Sequence, residues 1–251
     1  MALIQSGYGK IRIFTDFLGE EIPVANAVAY GTSAGGCNYY LGGFKVLGDL
    51  GETDTGVVAL AKASGYARIS GNNEDGKGAA IATETVFSAS LNGSLIFETR
   101  VERQAVTAGV VFAGFCGTAA DDIAEPLTAT GTTLTLTAGA ICGFTLDSQL
   151  TAAAVWHMPY NGGATTGVTD STLVTSGVTA VAGVSDVLRL VIDKAGRAQW
   201  FINGVLKQTV AGAVSTTTLL AGLVGCWGTT TTAADVDCDY IGIEANRDWN
   251  N

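Results

Sequence analysis

Two glutamates, Glu98 and Glu102, have the type and spacing to suggest acid–base work on a glycosidic bond. They stand four apart in LIFETRVE (95–102). Leu95, Phe97, Thr99 and Val101 alternate there with Ile96, Glu98, Arg100 and Glu102, so both glutamates share one face of a strand. Hydrolysis with retention needs carboxyl groups about 5–5.5 Å apart. Four residues of strand set these two backbones about 13 Å apart. Arg100 lies between them, and a cation there opposes the protonated form that a general acid must hold. The pair reads as a charge ladder on an exposed or interface face, and no catalytic residue is expected from it.

Three aspartates, Asp235, Asp237 and Asp239, put carboxylates on one side of DVDCDYIGIE, with Glu244 further on. Calcium accepts such oxygens, but it wants ligands converging from a loop, whereas strand neighbours fan out along a line. They are the weak candidates for a metal. The expectation is no metal and no cofactor, with the acids protecting or solvating an edge. His157 is the one histidine, with Asp170 and Ser171 near in sequence, but no G-x-S-x-G elbow accompanies them. A packed histidine beside Trp156 is the plainer reading. Trp156 and Trp227 are the candidates for stacking on a sugar ring. Trp200, Trp249 and the Tyr39-Tyr40 pair are weaker ones, since aromatics in a β-sandwich usually fill the core. The five cysteines, Cys37, Cys116, Cys142, Cys226 and Cys238, are odd in number, lack CxxC spacing and sit among small apolar residues. They read as buried hydrophobes.

The elements that would carry these residues are strands. VLRLVIDKAGRAQWFINGVLKQTV (187–210) alternates through Leu188, Leu190 and Ile192 and turns at Asp193–Gly196. It turns again at Asn203-Gly204, the strongest short hairpin signal, because a type I′ turn needs positive φ at both central residues. In the last strand, alternation places Val236, Cys238 and Tyr240 on one face and the three aspartates with Ile241 on the other. Phe44–Leu50 is expected to pair with 57–69. No segment longer than about ten residues has helical apolar spacing, so the class is all-β. The 251 residues are organised as a single β-sandwich over 26–251. Residues 1–25 form an extended N-terminal segment, either an arm or the first strand.

Composition narrows the partners. With 34 Gly, 3 Pro, 14% charged and 47% hydrophobic residues, little charge is left to wet a free surface: either a large β core carries a Thr/Ser/Ala surface, or neighbouring subunits cover much of it. The net charge of −10 and the lack of any Lys/Arg cluster argue against nucleic acid and against an anionic membrane surface. The apolar run 104–120 is broken by Gly109, Gly114 and Gly117 and is shorter than the roughly 20 residues of a spanning helix. MALIQSGYGKIRIFTDFLGEE lacks a basic and then apolar leader, so no signal peptide is expected and synthesis is placed in a cytoplasm.

From about Ser88 to Arg247 the order of segments resembles the concanavalin A-like lectin/glucanase jelly roll. SLIFETRVERQ precedes a VVFAGF strand, then ICGFTLDSQ, AAAVWHM, LRLVID, QWFINGVLK, LLAGLVGCW and DVDCDYIGIE. Glucanases of that fold carry catalytic glutamates as E-x-D-x-E or with one further residue, and here Arg100 stands where the central acid belongs. Within the fold the chain is similar to tailed-phage virion proteins. These have a DFLG-like start, here Asp16–Gly19, an FE-x-R-V strand and an ID-x-x-G-x-A-x-F-x-NG hairpin, here FETRV and IDKAGRAQWFING. That resemblance implies a virion structural protein, made in the host cytoplasm, that decorates or cements a capsid. It would bind copies of itself and a major capsid protein and would not be an enzyme. The alternative is a lectin-like glycan-binding module; a glycoside hydrolase comes third.

Overall fold

A computed structural model describes residues 2–5, 9–18, 40–41, 43–48, 55–60, 62–120, 123–229 and 232–247. In chain order the strands begin with β1 (Ala2–Gln5), β2 (Lys10–Thr15), β3 (Tyr40–Leu41), β4 (Phe44–Gly48), β5 (Gly56–Leu60), β6 (Tyr66–Gly71) and β7 (Gly78–Ala82). Next come β8 (Leu95–Glu102), β9 (Val110–Cys116), β10 (Leu127–Thr130), β11 (Thr133–Leu136), β12 (Ile141–Asp147), β13 (Val155–His157) and β14 (Tyr160–Asn161). The last six are β15 (Thr175–Thr179), β16 (Ser185–Ile192), β17 (Ala198–Ile202), β18 (Val205–Val210), β19 (Ala221–Trp227) and β20 (Ala234–Asn246).

They form an antiparallel sandwich, as the alternation predicts. The first sheet runs β1-β2-β20-β8-β16-β17-β18, with β6 and β5 continuing from β20. The second runs β15-β13-β12-β9-β19-β7-β4-β3. Residues Lys10–Thr15 pair with β20, so this part of the N-terminal segment is a strand of the first sheet. The Phe44–Leu50 expectation is corrected: β4 pairs with β7, and β5 pairs with β6. Leu50 itself, like Cys37, Tyr39 and Trp249, lies outside the described residues.

The core lies between the sheets and arises from period-2 patterning. Leu95, Phe97, Thr99 and Val101 of β8 point inward, and Phe97 meets Phe115 of β9 edge to face at 6.0 Å. Leu188, Leu190, Ile192, Trp200, Val224 and Ile243 fill the rest. Cys116, Cys142, Cys226 and Cys238 are buried and unbridged, as small hydrophobes are. The hairpin forms as its sequence predicts, with Asn203 at φ 51° and Gly204 at φ 77°.

One alternation fails, and the site depends on it. Cys238 faces Val101 and Tyr240 faces Arg100, so Asp239 is an extra residue in β20. This β-bulge reverses the facing of the remainder of the strand. Tyr240 turns outward instead of joining Val236 and Cys238, and Ile241 turns in. Buried Thr99 closes the local polar account by donating to Tyr240 O at 2.7 Å.

Candidate functional site

The outward face of the first sheet carries a hollow of about 190 Å³ lined by Phe14, Ile96, Glu98, Arg189, Tyr240, Gly242 and Glu244. Phe14 of β2 lies opposite Gly242 of β20, and Gly242 lies opposite Glu98 of β8. Arg189 is added from β16, where it faces Glu98. Gly242 is the floor because it has no side chain to fill the space. Phe14 and Tyr240, flanking it, stack with centroids 5.8 Å apart and planes at 29°. Phe14 is 37% exposed, so an aromatic face is open beside carboxylates and guanidinium groups.

Those groups are held in place. Tyr240 Oη donates to Glu98 Oε1 at 2.9 Å, and Arg189 Nη1 donates to Glu98 Oε2 at 2.9 Å. Burial, then the neighbouring Glu98 carboxylate, pushes the Tyr240 phenol above its ordinary pKa, so it stays a donor. Arg12 pairs with Glu244 at 2.7 Å on the rim. Glu244 faces Ile96, so Glu98 and Glu244 are diagonal neighbours across β8 and β20, about 7–8 Å apart at their backbones. Together they offer acceptors, donors and an apolar face, the groups that orient a polyhydroxylated ligand.

The residues singled out from sequence disperse. Glu102 lies away from the hollow, taking Lys62 Nζ at 3.0 Å, and Arg100 pairs with Asp239 at 2.9 Å. Glu98 and Glu102 are thus in separate ion pairs and do not converge. Asp237, 1% exposed, takes Lys62 at 2.6 Å and Arg68 at 2.7 Å. Burial alone would raise its pKa, but the hydrogen bonds from Arg68 and Lys62 outweigh it and hold the carboxyl below its ordinary value. The oxygens of Asp237 and Asp239 are thus engaged by cations, while Asp235 pairs across to Ser70 on β6. Among the described residues no group of three or more His, Cys, Asp or Glu side chains is placed to hold a metal ion.

Trp156 and Trp227 are corrected as stacking candidates. Both are essentially inaccessible, and their indole N–H groups donate to Asp186 Oδ2 and to Ile123 O, each at 2.9 Å. Trp200 is likewise buried and donates to Gly143 O. His157 is 1% exposed, and burial lowers its pKa. Asp170 meanwhile caps the short 3₁₀ turn at Ser171–Leu173 by accepting from Thr172 N. No Ser-His-Asp arrangement forms among the described residues.

Sequence reasoning missed Phe14, named Glu244 only beside the three aspartates, and put Tyr240 on the wrong face. It also missed two acids shifted by burial, the fully buried Asp147 and the half-buried Glu125. Burial, then the charges of Asp147 and Asp75, pushes Glu125 up to about 8. Burial raises Asp147 too. Neither shows in the sequence, because each becomes buried only when distant segments pack.

No family model matches the chain, and no curated protein matches it by sequence. Solved structures do match in fold. A protein of unknown function, SO2946 from Shewanella oneidensis MR-1, is 11% identical, with a TM-score of 0.57 over 99% of this chain and 92% of that one. The Bacillus licheniformis β-glucanase is 13% identical, with a TM-score of 0.50 over 84% of this chain and 99% of that one. The carbohydrate esterase vb_24B_21 of the Shiga toxin-encoding bacteriophage phi24B is 14% identical, with a TM-score of 0.50 over 81% and 90%. The chain therefore has the concanavalin A-like jelly-roll fold. The expectation that it is not an enzyme is corrected: two of these three jelly rolls are a glucanase and an esterase, so the fold is one on which carbohydrate chemistry is carried out. Arg100 within LIFETRVE excludes one strand as a catalytic acid pair; it does not exclude catalysis by the molecule.

Proposed function

We propose that this jelly roll is a carbohydrate-active protein that takes a glycan in the Phe14–Tyr240 hollow. One observation carries the reading: a stacked aromatic pair, one ring more than a third exposed, opens over Gly242 between Glu98, Glu244 and Arg189. An aromatic face offers the apolar side of a sugar ring a surface, while the carboxylates and guanidinium meet its hydroxyls. Glu98 and Glu244 stand on neighbouring strands at the hollow, and each is paired with an arginine, Arg189 and Arg12, so they serve as acceptors for a ligand's hydroxyls. Support from the fold is that a glucanase and a carbohydrate esterase share it.

The test is a glycan array followed by titration calorimetry on the best ligands, with reducing-sugar release measured in parallel. Phe14→Ala and Gly242→Val should each weaken binding at least tenfold. Glu98→Gln and Glu244→Gln should each weaken binding as well, since each removes a charged acceptor at the hollow. No binding on a broad array, or binding untouched by both hollow variants, overturns the reading.

A second reading is a virion structural component that contacts copies of itself and a major capsid protein. It is favoured by exposed apolar side chains gathered at one end of the first sheet. Val181 and Val184 precede β16, Val205 and Leu206 open β18, and Val187 and Asn203 tie the two places together. Its test is co-sedimentation with assembled capsids and light scattering on the purified chain. A monomer that ignores the particle would sink it.

A further inference from the structure

The hollow is one end of a longer row. Strand register carries Phe14 across Gly242 and Glu98 to Arg189, then to Phe201 of β17 and Leu206 of β18. All six positions lie on the outward face, because Leu188, Leu190, Trp200 and Ile202 take the buried inward positions of β16 and β17. Phe201 is partly exposed and Leu206 is exposed. An apolar end therefore stands on each side of the Glu98–Arg189 pair. From Phe14 to Phe201 the row crosses β2, β20, β8, β16 and β17 in sheet order. With strands about 4.8 Å apart this is about 19 Å, the length of about four sugar rings joined end to end.

The rows beside it carry hydrogen-bonding groups. Arg12, Glu244 and Gln199 line one side, and Tyr240 and Arg100 line the other. The charges are balanced in pairs: Arg189 with Glu98 at 2.9 Å, Arg12 with Glu244 at 2.7 Å and Arg100 with Asp239 at 2.9 Å. Lys10, on the same face of β2, donates to Asn246 Oδ1 at 2.6 Å. A charged ligand gains little from ions that are already paired, and the net charge of −10 repels an acidic one. Neutral hydroxyls leave the pairs intact and still bond to their open lone pairs and N–H groups.

We propose that this row is an extended platform for a neutral β-1,4-linked oligosaccharide lying across the strands, with one end ring on Phe14 in the hollow, the middle rings over Glu98 and Arg189, and the far ring on Phe201. The inference rests on the reading of the hollow as a glycan site and adds the ligand's length, direction and shape. Chains with β-1,4 links run as flat ribbons whose ring faces lie in line. Two aromatics about 19 Å apart on one sheet face are then met by one chain. An α-1,4-linked chain coils and meets only one of them.

Titration calorimetry with cello-, manno- and xylo-oligosaccharides, from disaccharide to hexasaccharide, tests this, with the malto series as the coiled control. In at least one flat series affinity should climb up to about four rings and then level off. Phe201→Ala should weaken the tetrasaccharide about fivefold to tenfold, the loss of one ring stack, and leave the disaccharide unchanged. Phe14→Ala should weaken both. Phe201→Leu keeps apolar volume without an aromatic face and should match Phe201→Ala, which separates lost stacking from altered packing. Affinity flat with length, or tetrasaccharide binding untouched by both Phe201 variants, overturns the platform and leaves the hollow as a site. Binding at the hollow confined to other glycans does the same. Failure of every glycan to bind removes the hollow itself, and the platform with it. A chain that is dimeric until Phe201→Ala makes it monomeric assigns the row to a second copy and also overturns the proposal.

Discussion

Asn203 donates its side-chain amide to Asp186 Oδ1 at 2.8 Å, and the other oxygen of Asp186 accepts the Trp156 indole at 2.9 Å. Asn203 also takes Val187 N at 2.9 Å on its own side-chain oxygen. One buried carboxylate therefore ties the β17–β18 turn to a tryptophan of the second sheet. Asn203 is needed twice, for its tolerance of positive φ and for its amide.

Replacing Asp186 by Ala should cost about 2–4 kcal/mol, because two charge-assisted hydrogen bonds go and a buried indole N–H is left without an acceptor. Asp186→Asn keeps one acceptor oxygen and should recover roughly half of that. Urea denaturation of the two variants against wild type measures the difference.

Asp237 holds Lys62 and Arg68 from a buried position, while its partners are about one-third exposed. Removing the acid frees cations that water can reach, so Asp237→Ala should cost about 2 kcal/mol, less than the roughly 3–5 kcal/mol of stranding a fully buried partner. The folded pKa lies below the unfolded one, so this contribution is present above about pH 4 and is lost as pH falls through the folded value. The stability difference between wild type and Asp237→Asn should shrink below pH 4 in acid-denaturation curves.

Glu125 has the opposite sign. Its folded pKa of about 8 exceeds the ordinary value of 4.5, so the folded state binds the proton more tightly. Its effect on stability is fully favourable below the unfolded value and is lost as pH rises to about 8, by at most about 1.4 kcal/mol per pH unit. Calorimetry should show Tm falling from pH 5 to pH 8 in the wild type. Glu125→Gln should flatten that slope and raise Tm at pH 9.

Tyr240→Phe keeps the ring that stacks on Phe14 but removes the donor to Glu98. Stability should fall by about 1 kcal/mol. Glycan affinity should fall less than in Phe14→Ala, which removes the exposed ring itself. Parallel titrations of the two variants with one ligand rank them.

Much of the strand layout was legible before folding. LIFETRVE alternates cleanly, Asn203-Gly204 marks its own turn, and the low charge and many turn glycines speak for a sandwich. The site was not legible, and Tyr240 shows why. Strict alternation buries it, but a single extra residue at Asp239 turns it outward to meet Glu98 and Phe14. A bulge is set by how two strands share a register, which neither strand's sequence records alone.

The sequence by itself determined the period of each strand, the turns between them, and which side chains of β8 and β16 enter the core, because these depend on neighbours two or four residues away. Only the tertiary structure decided that Phe14, Glu98 and Glu244 border one hollow. It also decided that Trp156 and Trp227 are spent inside, and that burial covers Asp147 wholly and Glu125 in part. Those relations join residues from opposite ends of the chain, and burial and charge act through space, not along it.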